Sequence, residues 1–129
     1  MEYGYLLGKR LAPNAVICFF GDLAAGKTTF IKGLVAGAAG IDSSLIQSPT
    51  FTYLHIYQGT LDIYHFDLYR LRDTDEFIAM GFDEYFEADG ICCIEWSERI
   101  STCLPSHCIQ VFLTHEGLNK RSIIIMNEK

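Results

Sequence analysis

Short apolar runs alternate along this chain with one longer stretch of helical spacing, and glycine-rich or polar breaks separate them. Ala15 to Phe20 is a continuous apolar run of strand length and strand bias. The helix that follows runs from Lys27 to about Ala39, and Gly40-Ile41-Asp42 closes it. Gly33 and Gly37 lie inside it at roughly 1 kcal/mol each relative to Ala, and close packing of the helix on a sheet is the expected reason. Ahead of the first strand, Tyr5 to Leu11 predicts a short helix ended by Pro13-Asn14.

The second half of the chain is richer in strands. Ser43 to Thr52 is polar, aperiodic and contains Ser48-Pro49-Thr50, so it reads as a loop. Tyr53 to Tyr57 and Leu61 to Phe66 predict two strands joined by a turn at Gln58-Gly59-Thr60, with Asp67 where the second strand ends. Asp73 with Glu76 offers a capping box for a helix through Met80, and Gly81 stops it. Phe82 to Phe86 predicts a second short helical piece, and Asp89-Gly90 a turn. Ile91 to Ile94 is apolar at every position, which suits a strand buried on both faces. Ser97 to Pro105 reads as connection. Cys108 to Leu113 and Arg121 to Met126 predict an antiparallel hairpin turning within Glu116-Gly117-Leu118-Asn119. This order predicts an α/β fold: a P-loop NTPase-like three-layer core with a mixed sheet and a C-terminal antiparallel hairpin. The 129 residues, 1 to 129, suit a single domain.

Composition narrows the classes. Half the residues are apolar and aromatics are plentiful, which argues against disorder. No apolar run reaches ~18 residues, so no transmembrane helix and no membrane partner are expected. Met1 to Tyr5 lacks the basic start and apolar core of a signal peptide, so a cytoplasmic location is expected. The five cysteines include no C-x-x-C pair, so the reading is reduced thiols and no zinc. The formal charge is −6, and Lys9-Arg10, Arg70 with Arg72, and Lys120-Arg121 are small, scattered basic pairs. That disfavours direct, tight binding of nucleic acid.

The chemistry centres on Gly21-Asp22-Leu23-Ala24-Ala25-Gly26-Lys27-Thr28, which fits the phosphate-loop pattern G-x-x-x-x-G-K-[S/T] between a strand and a helix. Glycines at its two ends let backbone N–H groups close on an anion. The following helix aims its unpaired N–H groups at the same place. Asp22, Leu23, Ala24, Ala25, Gly26, Lys27, Thr28 and Thr29 form the expected nucleotide cradle. Lys27 is expected on the β- and γ-phosphates of ATP and the Thr28 hydroxyl on Mg²⁺. Such a loop works with an acid at the end of a neighbouring strand. Glu95 and Asp67 both qualify, and spacing does not divide metal binding from water positioning between them. Ser48-Pro49-Thr50 is either a switch loop or an ordinary turn, and Asp22 either orients water or is a surface acid. Trp96 stacks on a base or partner, or simply packs. His55 and His65, far from any ligand pattern, read as structural. Arg70 and Arg99 read more readily as surface arginines than as arginine fingers.

Taken together, the phosphate loop, Ser48-Pro49-Thr50-Phe51-Thr52, His65-Phe66-Asp67-Leu68-Tyr69-Arg70-Leu71 and Ile94-Glu95-Trp96 resemble the TsaE family over nearly the whole chain. The resemblance implies a small ATPase of tRNA N6-threonylcarbamoyladenosine biosynthesis, weak alone and stimulated by TsaB and TsaD. Its hydrolysis of ATP resets that complex, which modifies adenosine 37, so tRNA is met only indirectly. It implies Lys27 and Thr28 as phosphate and Mg²⁺ ligands and Thr50 in the switch-like loop. Asp67 and Glu95 take the places of the functional acids, and Trp96 that of a residue near the nucleotide. Two departures stand out: Ala24 where the family usually has Gly, and few residues before the first helix. Both bear on nucleotide affinity. Two other classes share the loop. A small-molecule kinase would need an acceptor pocket and an arginine-bearing lid, for which there is little room. A nucleotide-gated protein-binding module would need binding without turnover.

Overall fold

The computed structural model describes residues 2–21, 27–42, 53–116 and 120–127. Its elements follow in the order α1 (Glu2–Arg10), β1 (Val16–Phe20), α2 (Lys27–Ala39), β2 (Leu54–Tyr57), β3 (Ile63–Asp67), α3 (Thr74–Ala79), a 3₁₀ turn (Phe82–Glu87), β4 (Ile91–Glu95), a second 3₁₀ turn (Ser97–Ile100), β5 (Ile109–Glu116) and β6 (Lys120–Asn127). The six strands form one mixed sheet in the order β2-β3-β4-β1-β5-β6. β3, β4, β1 and β5 run parallel, and β2 and β6 close the edges antiparallel. This is the mixed α/β architecture that the order of elements predicts, down to the C-terminal hairpin.

Two apolar layers cover the sheet. Alternation sends Ile17, Phe19, Ile63, Ile91 and Cys93 to one face, against Phe30, Ile31, Leu34 and Val35 of α2. Val16, Cys18, Tyr64, Phe66, Cys92 and Ile94 face the other way, onto Phe77 of α3, Phe86 and Ile100. The second layer is an aromatic cluster: Phe77 has ring centroids 5.6–5.8 Å from Phe66, Phe82 and Phe86. All four β4 residues before Glu95 are buried, as a central parallel strand requires.

Several boundaries shift for local reasons. The first helix begins at Glu2 rather than Tyr5, because Gly4 and Gly8 are buried against α2. A Cβ on Gly8 would fall on the Leu34 carbonyl, and one on Gly37 on the Tyr5 carbonyl. Gly37 therefore serves a helix–helix seam, not the helix-on-sheet packing that the sequence suggests. The second strand of the β2–β3 hairpin starts at Ile63, two residues late. Half of the expected capping box forms: Asp73 accepts from the Glu76 amide at 2.9 Å. The Glu76 carboxylate reaches the Arg72 amide instead of returning to the cap. Gly81 ends this region with φ 76°, in the left-handed region. The stretch from Ser97 opens with a 3₁₀ turn rather than plain connection.

Candidate functional site

The carboxyl ends of β1 and β4 lie side by side in the sheet. The chain leaves β1 for α2 on one face of the sheet and leaves β4 for Ile100 and Leu104 on the other. Adjacent parallel strands whose connections depart to opposite faces open a crevice, and open α/β sheets bind ligands there. Gly21 follows β1 directly, with φ 130° and no room for a side chain against the Leu113 carbonyl. Asp22, Leu23, Ala24, Ala25 and Gly26 lie outside the described residues, as does the loop with Thr50. Lys27 and Thr28 begin α2, and their side chains lie outside the description. Thr29 is exposed in the first turn of that helix.

Register carries the acids to the same place. Asp67 and Glu95 are partners at the ends of β3 and β4, and Glu95 is in turn the partner of Phe19 on β1. The period of two puts Glu95 on the face of Cys93 and Ile91, and Asp67 on the face of Ile63. That is the face α2 covers, and Phe30 in its first turns packs on Phe19 at 5.9 Å between centroids. The start of α2 and both acids therefore share one face and one end of the sheet.

The two acids sit in different surroundings. Glu95 is 3% exposed. A carboxylate that deep needs a partner, and His65 supplies one: its Nε2 lies 2.9 Å from Glu95 Oε2. His65 is 1% exposed and stands two residues before Asp67, on the same face of β3. Asp67 is half-buried, and its Oδ1 accepts from the Tyr69 amide at 3.1 Å, an Asx turn that sets its direction. The Leu68 amide donates to the Glu95 carbonyl at 3.1 Å, locking the two strand exits together. Below them, burial pushes the Cys93 thiol well above its ordinary value, with Cys92 and the Glu95 charge adding to it.

Trp96 comes next and is held in the left-handed region, φ 61° and ψ 40°. A bulky residue there stores about 1–3 kcal/mol of strain, a common mark of functional sites. Three interactions hold it. Its carbonyl accepts from the Arg99 amide at 3.1 Å. Its ring meets Tyr69 edge to face at 5.0 Å, and the Arg99 guanidinium lies 5.8 Å from the ring centroid. Arg99 also donates to the Tyr69 carbonyl at 3.3 Å, so its guanidinium is occupied locally. Arg70 is exposed. His55 pairs in register with His65 across β2–β3 and contacts the Tyr57 hydroxyl at 3.4 Å.

The sequence reading missed the bond from His65 to Glu95. The spacing His65-x-Asp67 on a strand was the available signal, since it places the ring and the acid on one face. It also missed the Tyr69–Trp96–Arg99 cluster. Among the described residues no three His, Cys, Asp or Glu converge as a metal cage, and no helix is long and apolar enough to cross a membrane. Two carboxylates at a strand end suit Mg²⁺, which keeps waters and takes one or two carboxylates beside substrate phosphates.

Comparison with known proteins places this arrangement in context. The family model described as threonylcarbamoyl adenosine biosynthesis protein TsaE matches residues 1–123. The tRNA threonylcarbamoyladenosine biosynthesis protein TsaE of Treponema pallidum (strain Nichols) is 42% identical over 124 residues, 96% of this chain and 90% of that protein. Its counterpart in Bacillus subtilis (strain 168) is 42% identical over 112 residues, 86% of this chain and 68% of that protein. A crystal structure of Bacillus subtilis YdiB superposes with a TM-score of 0.78 at 34% identity, covering 98% of this chain and 76% of that one.

Proposed function

The chain belongs to the TsaE family of threonylcarbamoyl adenosine biosynthesis proteins, and from that premise we propose that it is a Mg²⁺-dependent ATPase serving tRNA threonylcarbamoyladenosine formation. The single observation that carries this reading is the register pair Asp67 and Glu95, on the face and at the strand ends where α2 begins. In this reading the loop from Gly21 to Thr28 binds ATP through its backbone amides. Lys27 offsets charge on the β- and γ-phosphates. Thr28 and Glu95 would hold the metal, and Mg²⁺ bound there would supply further neutralisation of phosphate charge. Asp67, turned by its Asx hydrogen bond, positions the attacking water. Thr50 senses the γ-phosphate through its hydroxyl, and Trp96 borders the nucleotide. Catalysis of this kind is positioning and electrostatics.

The same reading makes TsaB and TsaD the partners. Hydrolysis resets their complex, and tRNA is met only through it. The acidic balance, −6, fits a chain that acts on proteins rather than gripping RNA itself. Phosphate release from Mg·ATP, by the chain alone and with TsaB and TsaD added, tests the proposal. Slow release alone, strong stimulation by the pair, and loss of both in Lys27→Ala are expected. Release that Lys27→Ala leaves intact would refute it.

A further inference from the structure

We propose that His65 is the positioning residue for Glu95, holding its carboxylate at the strand end in the orientation that hydrolysis uses; the inference rests on the ATPase reading above. Three observations carry it. The ring is buried and makes one hydrogen bond among the described residues, Nε2 to Glu95 Oε2 at 2.9 Å. The second nitrogen, Nδ1, has no hydrogen-bond partner among those residues. The ring and Asp67 lie two apart on β3, so one strand supplies the water-positioning acid and the anchor for the other acid.

The chemistry of the pair is directional. A carboxylate oxygen only accepts, so Nε2 carries the proton and donates it to Oε2. The unpartnered Nδ1 is then a bare lone pair, which is cheaper to bury than a stranded N–H. The bond gives one carboxylate oxygen of Glu95 a fixed direction inside the sheet. Partners of this kind, one bond behind a metal-binding group, orient the group, and losing one typically costs about 10–100-fold in metal affinity or activity. A role confined to stability would show as a lower melting temperature, since removing one partner of a buried pair strands the other, and not as slower turnover per folded molecule. His65 contacts neither nucleotide nor water in this account. It acts through Glu95.

Two variants and one spectroscopic measurement test the inference. His65→Leu removes the donor, while His65→Gln keeps an N–H close to the position of Nε2. His65→Leu is expected to lower kcat for phosphate release by about 10–100-fold, with KM for Mg·ATP changed less than about threefold, and His65→Gln to recover most of that loss. A folded His65→Leu protein with wild-type kcat would overturn the proposal, as would His65→Gln no better than His65→Leu. Nitrogen-15 imidazole spectra of the wild-type protein, assigned with His65→Gln, give a readout free of turnover. They should show the proton of His65 on Nε2, with a shift on Glu95→Gln. A proton on Nδ1, or no response to Glu95→Gln, would contradict the arrangement even where the leucine variant fails to fold. Failure of the ATPase reading looks different: the wild-type protein would then release no phosphate that depends on Lys27.

Discussion

The seam between α1 and α2 and the carboxyl ends of β3 and β4 are both closely packed, by opposite means. At the seam the chain removes side chains. Gly4, Gly8 and Gly37 let backbone meet backbone, and each place where a Cβ would fall is already filled by a neighbouring main chain. At the strand ends the chain inserts costly groups: a buried carboxylate, a buried imidazole and a tryptophan in the left-handed region. The first arrangement serves the packing of two helices. The second costs stability, a common mark of functional sites.

Substitutions at the two places should therefore separate stability from turnover. The largest expected effect is at the seam. Gly8→Val drives a side chain into the Leu34 carbonyl and should cost about 3 kcal/mol or more, lowering the melting temperature by roughly 10 °C. Phosphate release per folded molecule should stay at the wild-type level. Thermal melting with activity normalised to folded protein checks both halves. A Gly8→Val protein that melts normally would dissolve the contrast.

Alkaline pH should act on the sheet rather than on the seam. Burial pushes the Cys92 thiol up to about 12, with the neighbouring Cys18 thiol adding to it. The folded protein keeps a proton that the unfolded chain releases above about 8.5. This contribution is fully present below that pH and is lost as pH rises toward about 12. Melting temperatures in reducing buffer should fall from about pH 8.5 upward, and less steeply in Cys92→Val. The same slope in both proteins would remove the thiol from the explanation.

The smallest expected effect is at Arg99, whose guanidinium lies over Trp96 while exposed to water. Arg99→Ala should cost less than about 1 kcal/mol. Trp96 is the sole tryptophan, so its emission should shift even while the melting curve hardly moves. Unchanged emission would mean that Arg99 does not hold the ring.

The contrast also explains what was legible in the sequence. Gly21, the apolar run before it and the acids at positions 67 and 95 were readable because strand ends and phosphate loops depend on local spacing. The apolar run Ile91 to Ile94 announced a central strand for the same reason. The glycine seam was not readable, since Gly33 and Gly37 cost a helix the same whether they meet a sheet or another helix. The bond from His65 to Glu95 spans thirty positions, and only the parallel register of β3 and β4 creates it. Trp96 gave no warning of its backbone strain, because nothing in the residues beside it demands a positive φ. Asp22 to Gly26 and Thr50 lie outside the described residues, so for them the motif and the family remain the basis of the reading.

The central claim is that the strand-end carboxylate exists for turnover and not for stability. The most direct test is a single-turnover measurement of phosphate release by Glu95→Gln at saturating Mg·ATP, paired with thermal melting of the same preparation. The amide can still accept from His65, so the melting temperature should match the wild type or exceed it, while phosphate release falls by about a hundredfold or more. A variant that melts much lower and, once folded, releases phosphate at the wild-type rate would make Glu95 a structural residue and contradict the account.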